Sequence, residues 1–302
     1  MKILITGSSG TIGTRLFEKL LEKGYEVVGF DKKENKWHKH LNELTIKGNL
    51  LLEKDIKKIP KDTDLIIHLA ANARVYDLVL KPDLALENVV STYNILEFAR
   101  KNKVNKIIFS SSREAYGNRK KTIAKEEDVN LELSESSYAA SKISDEAFVY
   151  AYQKCYGIDY IVLRLSNVYG MYDESNRFVP LIIRKMKEDK DVIIFGKDKM
   201  LDFTYIDDCV AGIISCIEKF SKAKNNVFNI SSGKVNNLVK IADMIKASMK
   251  SKSRILTADN RTGEVVKYMA DISKAKKLLA YKPQYSIKKG INLSIDWYKK
   301  EC

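Results

Sequence analysis

The sequence predicts an α/β protein: a doubly wound parallel sheet carrying a smaller C-terminal α/β lobe. Three observations lead there. Residues 2–6 form a short apolar run that passes through closely spaced glycines straight into an amphipathic stretch, the order strand, tight turn, helix. Further apolar runs at 26–30, 65–71, 106–110 and 160–165 alternate with longer runs of helical period at 82–101 and 136–156. Such alternation calls for parallel strands joined by right-handed crossovers, with a site at the strand carboxyl ends. The 302 residues also suffice for one large core with a lobe grafted on.

Taken in order, the first strand runs into GSSGTIG at 7–13, followed by a helix through Leu21 that stops at Gly24. Glycines at 7, 10 and 13 let the backbone approach a pyrophosphate, and the helix opened by Thr11 and Ile12 stabilises its charge. The second strand ends in Asp31, where a Rossmann-type fold places the carboxylate that accepts hydrogen bonds from an adenosine ribose. A carboxylate there repels a 2′-phosphate and favours NAD over NADP, a preference softened by Lys32 and Lys33. Asp55 and Ile56 close a short third unit, in which Asp55 either reads an adenine edge or is an ordinary surface aspartate. The run 65–71 ends in Leu69, Ala70 and Ala71, small enough for a cofactor to lie against.

Ser111 and Ser112 leave the end of the run 106–110, and Tyr138 and Lys142 lie four apart in the helical run that follows. That spacing places both side chains on one helix face, one turn apart. A lysine ammonium beside a phenol favours the phenolate, so the pair is suited to removing a proton from an alcohol that Ser112 hydrogen-bonds. Taken alone, the same residues also fit a half-exposed helix and a serine satisfying loop backbone.

Composition narrows the class. The formal charge of +14 arises from 53 Lys and Arg against 39 Asp and Glu, spread along the chain rather than gathered in a stripe. It reads as a solvated surface that suits an anionic small substrate, with no nucleic acid expected. The N-terminus enters a strand directly and no apolar run reaches membrane-spanning length, so neither leader nor membrane anchor is expected and the location is expected to be cytoplasmic. Cys155, Cys209, Cys216 and Cys302 form no CxxC pair, and His38, His40 and His68 are scattered, so no metal is expected.

Further motifs follow: HLAA at 68–71, Asn88, SSREAYG at 111–117, YAASK at 138–142, RLSNVYG at 164–170, RFVP at 177–180, LDFTYIDD at 201–208 and RTGE at 261–264. With the glycine turn and Asp31, they resemble the extended short-chain dehydrogenase/reductase family, in its nucleotide-sugar epimerase and dehydratase branch, nearly end to end. The resemblance implies Ser112, Tyr138 and Lys142 as catalytic residues, with Lys142 and Asn88 also at the cofactor. It further implies hydride transfer from sugar C4 to NAD through a 4-keto sugar, and a substrate seat of Asn167, Arg177, Phe178, Ile193, Phe195, Arg261 and Glu264. A Rossmann domain at 1–170 and a substrate lobe at 171–302 are expected, interleaved because the chain returns to the sheet after Gly196. A homodimer is expected from the runs 88–101 and 138–156, which relatives pair into a four-helix interface.

Two departures bear on the chemistry. Leu201 stands where most relatives carry an arginine that grips the diphosphate, leaving Lys199 or Arg177 to replace it. After Ser112 come Arg113 and Glu114. Glu114 hints at an extra acid or base, whereas a guanidinium at 113 cannot protonate a leaving hydroxyl; the two also suit a simple ion pair with each other. The expectation is an NAD-dependent nucleoside-diphosphate-sugar 4-epimerase acting on a UDP-hexose or UDP-uronate. The alternatives are a 4,6-dehydratase or a uronate decarboxylase using Glu114, or a non-catalytic NAD sensor, which would be expected to lack Tyr138 or Lys142.

Overall fold

A computed structural model describes residues 1–301. Seven parallel strands form the central sheet in the order Asn226–Ile230, Asp159–Leu165, Lys106–Ser112, Leu65–His68, Lys2–Thr6, Glu26–Asp31 and Thr45–Lys47. Their apolar runs are continuous because both faces are covered. Ile3 and Ile5 enter one core with Ile108 and Leu163, while Leu4 enters the other with Ile66, Ile107 and Phe109, as side chains alternate along a strand. Strand order reverses between Lys2–Thr6 and Leu65–His68, so a crevice opens there at the carboxyl ends.

The first helix, Thr11–Glu22, buries Leu16, Phe17 and Leu20 on one stripe. On the opposite side of the sheet lie helices Asp83–Lys101 and Ser137–Tyr156. The second begins at Ser136, whose hydroxyl accepts from the Ala139 N–H at 3.1 Å, and ends at Gly157, left-handed at φ 71°. The first is an ordinary start signal for a helix and the second an ordinary stop. A buried ion pair fixes this helix to the sheet: Arg164 reaches Glu146 with Nε to Oε1 at 2.9 Å and Nη2 to Oε2 at 2.7 Å.

The chain does return to the sheet after Gly196, as the edge strand Asn226–Ile230 paired with Asp159–Leu165. Met200–Tyr205 instead forms a small sheet with Asn167–Tyr169 and Val235–Asn237. Val192–Phe195 pairs with Ile255–Ala258, and helices Leu238–Met249, Ser273–Leu279 and Ile287–Glu301 complete the C-terminal region. Among the described residues no helix is long and apolar enough to cross a membrane, and no cluster of His, Cys, Asp or Glu could hold a metal ion. Cys155, Cys209 and Cys216 are free thiols; Cys302 lies outside the described residues.

Candidate active site

The glycine turn is shaped by close approach. Gly7 has φ +72°, and a Cβ there would meet the Ala70 nitrogen at 2.7 Å; one on Gly13 would meet the Gly7 carbonyl oxygen at 2.1 Å. Gly10 starts the helix without a side-chain cap, leaving the first N–H groups of Thr11–Glu22 directed at the turn. Asp31 is held by N–H groups of Ser9 at 3.0 Å and Lys33 at 2.9 Å. Around these runs an open cleft lined by Gly7, Gly10, Asp31, Lys32, Leu69, Ala70, Ala71 and Asn88 among others. A glycine cradle, a bare helix N-terminus and a carboxylate at the second strand end fit an adenine dinucleotide lacking a 2′-phosphate.

Not every expected residue faces this cleft. Asp55 does not: it is absent from the cleft lining, and its oxygens accept from the Asn49 N–H at 2.9 Å and the Lys58 ammonium at 2.6 Å. Lining falls instead to Asn49, Leu50 and Leu51 in the turn that Asp55 holds. Ile56 packs against the core, and the Thr11 hydroxyl donates to the Tyr172 carbonyl at 3.0 Å while Ile12 packs inward. The Gly48-Asn49 pair after the third strand was the available turn signal. A Cβ on Gly48 would meet Phe30 at 2.7 Å.

Beyond the cleft the strand Lys106–Ser112 and the helix Ser137–Tyr156 bring Ser112, Tyr138 and Lys142 together, all buried. The Lys142 ammonium donates to the Ser110 carbonyl at 3.0 Å and lies 3.6 Å from an Asp145 oxygen. Tyr138 departs from the expected downward shift: burial pushes its pKa up, with Ser112 and Arg177 opposing, and Glu114 and Asp145 adding to the rise. Burial also pulls Lys142 down, against Asp145. Exclusion of water outweighs the Ser112 hydrogen bond and the Arg177 charge at the phenol.

On the substrate side, Arg113 pairs with Glu114 at 2.7 Å and donates from Nε to Asn167 Oδ1 at 3.2 Å. Both side chains are buried, and Arg113 Nη1 and Glu114 Oε2 have no hydrogen-bond partner. Burial raises the Glu114 pKa against Arg113. Lys199 is not available to replace the missing arginine, because it is 3% exposed and ion-paired with Glu264. Leu201 is core. Arg177 keeps 38% side-chain exposure, 3.7 Å from Asp173, and its charge acts on Tyr138. Phe178 packs on Phe203, while the Arg261 guanidinium sits 3.8 Å from the Phe195 ring centre, with Tyr76 at 4.8 Å. Ile193 and Phe195 share a strand face, Ile193 being exposed.

The profile of the family described as NAD dependent epimerase/dehydratase matches residues 3–231. The chain belongs to the NAD dependent epimerase/dehydratase family. Within it, a putative UDP-glucose 4-epimerase of Methanocaldococcus jannaschii is 32% identical over 98% of both chains. A UDP-glucuronate 4-epimerase of Thermodesulfobacterium geofontis is 30% identical over 98% of this chain and 95% of that one. Among solved structures, the UDP-glucuronic acid 4-epimerase of Bacillus cereus, in complex with UDP-glucuronic acid and NAD, superposes with TM-score 0.92 at 30% identity over 99% of each chain. Periodicity alone did not single out Asp145 or the Arg164–Glu146 pair, which burial and contacts in the fold bring out.

Proposed function

We propose that this protein is an NAD-dependent nucleoside-diphosphate-sugar 4-epimerase whose substrate is a UDP-hexose or a UDP-uronate. The carrying observation is the buried trio Ser112, Tyr138 and Lys142 at the strand ends, beside the glycine-lined cleft, in a member of the epimerase/dehydratase family. Gly7, Gly10, Gly13, Asp31, Leu69, Ala70, Ala71 and Asn88 are the residues that hold the cofactor. When bound, NAD supplies a reversible hydride acceptor for the sugar C4.

Tyr138 takes the proton of the C4 hydroxyl, and Ser112 orients that hydroxyl through its own O–H. Lys142, one turn along the same helix, brings a positive charge to the site. The closed surroundings keep water away from the keto sugar, so the proton on Tyr138 returns to the same oxygen after the sugar presents its other face. Arg177 and Arg261 are the cations in reach of the diphosphate, arginine being suited to paired bonds with its oxygens. The product then has the mass of the substrate. Mass spectrometry of the UDP-sugar pool after incubation with NAD tests this, and a loss of water or carbon dioxide refutes it.

One observation favours a second reading, elimination or decarboxylation. Glu114 is buried with one free carboxyl oxygen and a raised pKa, as a general acid requires. Its tie to Arg113 through the other oxygen speaks for a fixed ion pair and for the epimerase.

The same proposal extends to assembly and place. Leu86, Val90 and Tyr93 on one helix and Phe148 on the next are exposed apolar side chains, with the Tyr93 and Phe148 rings 6.2 Å apart. A second copy covering these helices as a homodimer is the reading, in a cytoplasmic setting. Light scattering that returns the mass of one chain at micromolar concentration contradicts the dimer, and recovery with a membrane fraction contradicts the location.

A further inference from the structure

The face of helix Ser137–Tyr156 that bears Tyr138 and Lys142 continues one turn further to Asp145. Asp145 is 0% exposed, and neither of its oxygens completes a hydrogen bond. A carboxylate with no hydrogen bond is costly to bury unless a charge compensates it. The only cation within ion-pair reach among the described residues is the Lys142 ammonium at 3.6 Å. At that separation the contact acts through charge rather than as a close hydrogen bond. With one Lys142 N–H given to the Ser110 carbonyl, the remaining N–H groups stay able to turn toward a ligand.

We propose that Asp145 is a positioning residue of the hydride-transfer site: its carboxylate is the fixed counter-charge of Lys142 and sets the pH range over which Tyr138 and Lys142 act together. The inference rests on the epimerase reading of Tyr138 and Lys142. Burial pushes the Asp145 carboxyl up, while Lys142 and the Thr92 hydroxyl hold it down. On its own helix stand Lys142, Tyr138 and Glu146; the Thr92 hydroxyl faces it from Asp83–Lys101. His68, on the strand beyond and bridged to Thr92 at 3.2 Å, stays neutral because burial pushes its pKa down to about 3. Glu146 is already bound by Arg164. Asp145 is thus the carboxylate left to balance Lys142.

Removing the negative charge lets Lys142 lose its proton more readily and lets Tyr138 lose its proton more readily, so both pKa values fall. The test is kcat against pH for the wild type, D145N and D145S, with NAD and UDP-sugar saturating and Y138F as control. D145N keeps the shape of the side chain; D145S keeps a smaller polar group. The expected result is a bell-shaped profile whose two limbs both move to lower pH by about one unit or more in each folded variant. Limbs that stay in place or move to higher pH overturn the proposal, as does loss of folding in both variants, which would make Asp145 purely structural. Undiminished turnover by Y138F would overturn the reading beneath it, a failure distinct from an unmoved profile.

Discussion

Glu146 and Arg164 meet through two parallel hydrogen bonds of 2.9 and 2.7 Å inside the protein, and this pair locks the helix carrying Tyr138 and Lys142 to the central sheet. Ser111 and Tyr150 also donate to Glu146, at 2.5 and 2.7 Å, while Arg164 reaches the Tyr116 hydroxyl at 3.1 Å and the Glu126 carbonyl at 2.7 Å. Every side of both charges is met. Breaking such a pair leaves one charge buried alone, so Glu146→Ala is expected to cost about 3 to 5 kcal/mol in urea unfolding. A cost within the range of an exposed ion pair would show that the helix is held by its apolar contacts instead.

Tyr138→Phe removes the phenol and keeps the ring. Turnover should fall about a hundredfold or more while NAD affinity, read by fluorescence titration, stays near that of the wild type. A parallel loss of both would place Tyr138 in cofactor binding alone.

At Gly13 the turn has no room for a side chain, since a Cβ would come within 2.1 Å of the Gly7 carbonyl. Gly13→Ala should destabilise the fold by about 1 to 3 kcal/mol and weaken NAD binding. Gly24 offers the contrast: nothing lies within 4 Å of a Cβ there, although its φ of +77° is left-handed. Gly24→Ala should therefore lower stability through backbone strain and leave NAD affinity unchanged.

His68 makes stability depend on pH. It is fully buried between the Thr6 and Thr92 hydroxyls, at 2.7 and 3.2 Å. Burial, with the Lys142 ammonium adding to it, moves its pKa from 6.5 to about 3. The folded state holds His68 neutral while the unfolded chain takes up the proton near pH 6.5, so its contribution is present above that pH. Stability should fall as pH drops from 6.5 toward 3, by up to about 5 kcal/mol, and His68→Gln should flatten that slope. An identical slope in the variant would assign acid sensitivity to other groups.

The cofactor-binding half was legible in the chain because its signals are local. The strands Lys2–Thr6 and Glu26–Asp31 and the helices Asp83–Lys101 and Ser137–Tyr156 lie where the apolar and helical runs put them. Asp55 misled because Lys58 and the Asn49 N–H, close in sequence yet set by the fold, take its two oxygens. Lys199 misled for a longer-range reason: its partner Glu264 is 65 positions away, and no spacing rule reports such a pair. The phenol of Tyr138 was expected to be drawn down by a neighbouring cation, but the sign is decided by how completely the fold excludes water from it.

The proposed mechanism has C4 give up its hydride and receive the same one back. It is tested by incubating the protein and NAD with UDP-galactose or UDP-glucuronate deuterated at C4 and following proton and deuterium NMR. The expected result is a C4 epimer growing to a stable ratio, with the deuterium kept at C4 and no solvent proton in its place. Deuterium lost to water, a deoxy-methyl signal, or a pentose formed from the uronate would contradict it and turn attention to Glu114.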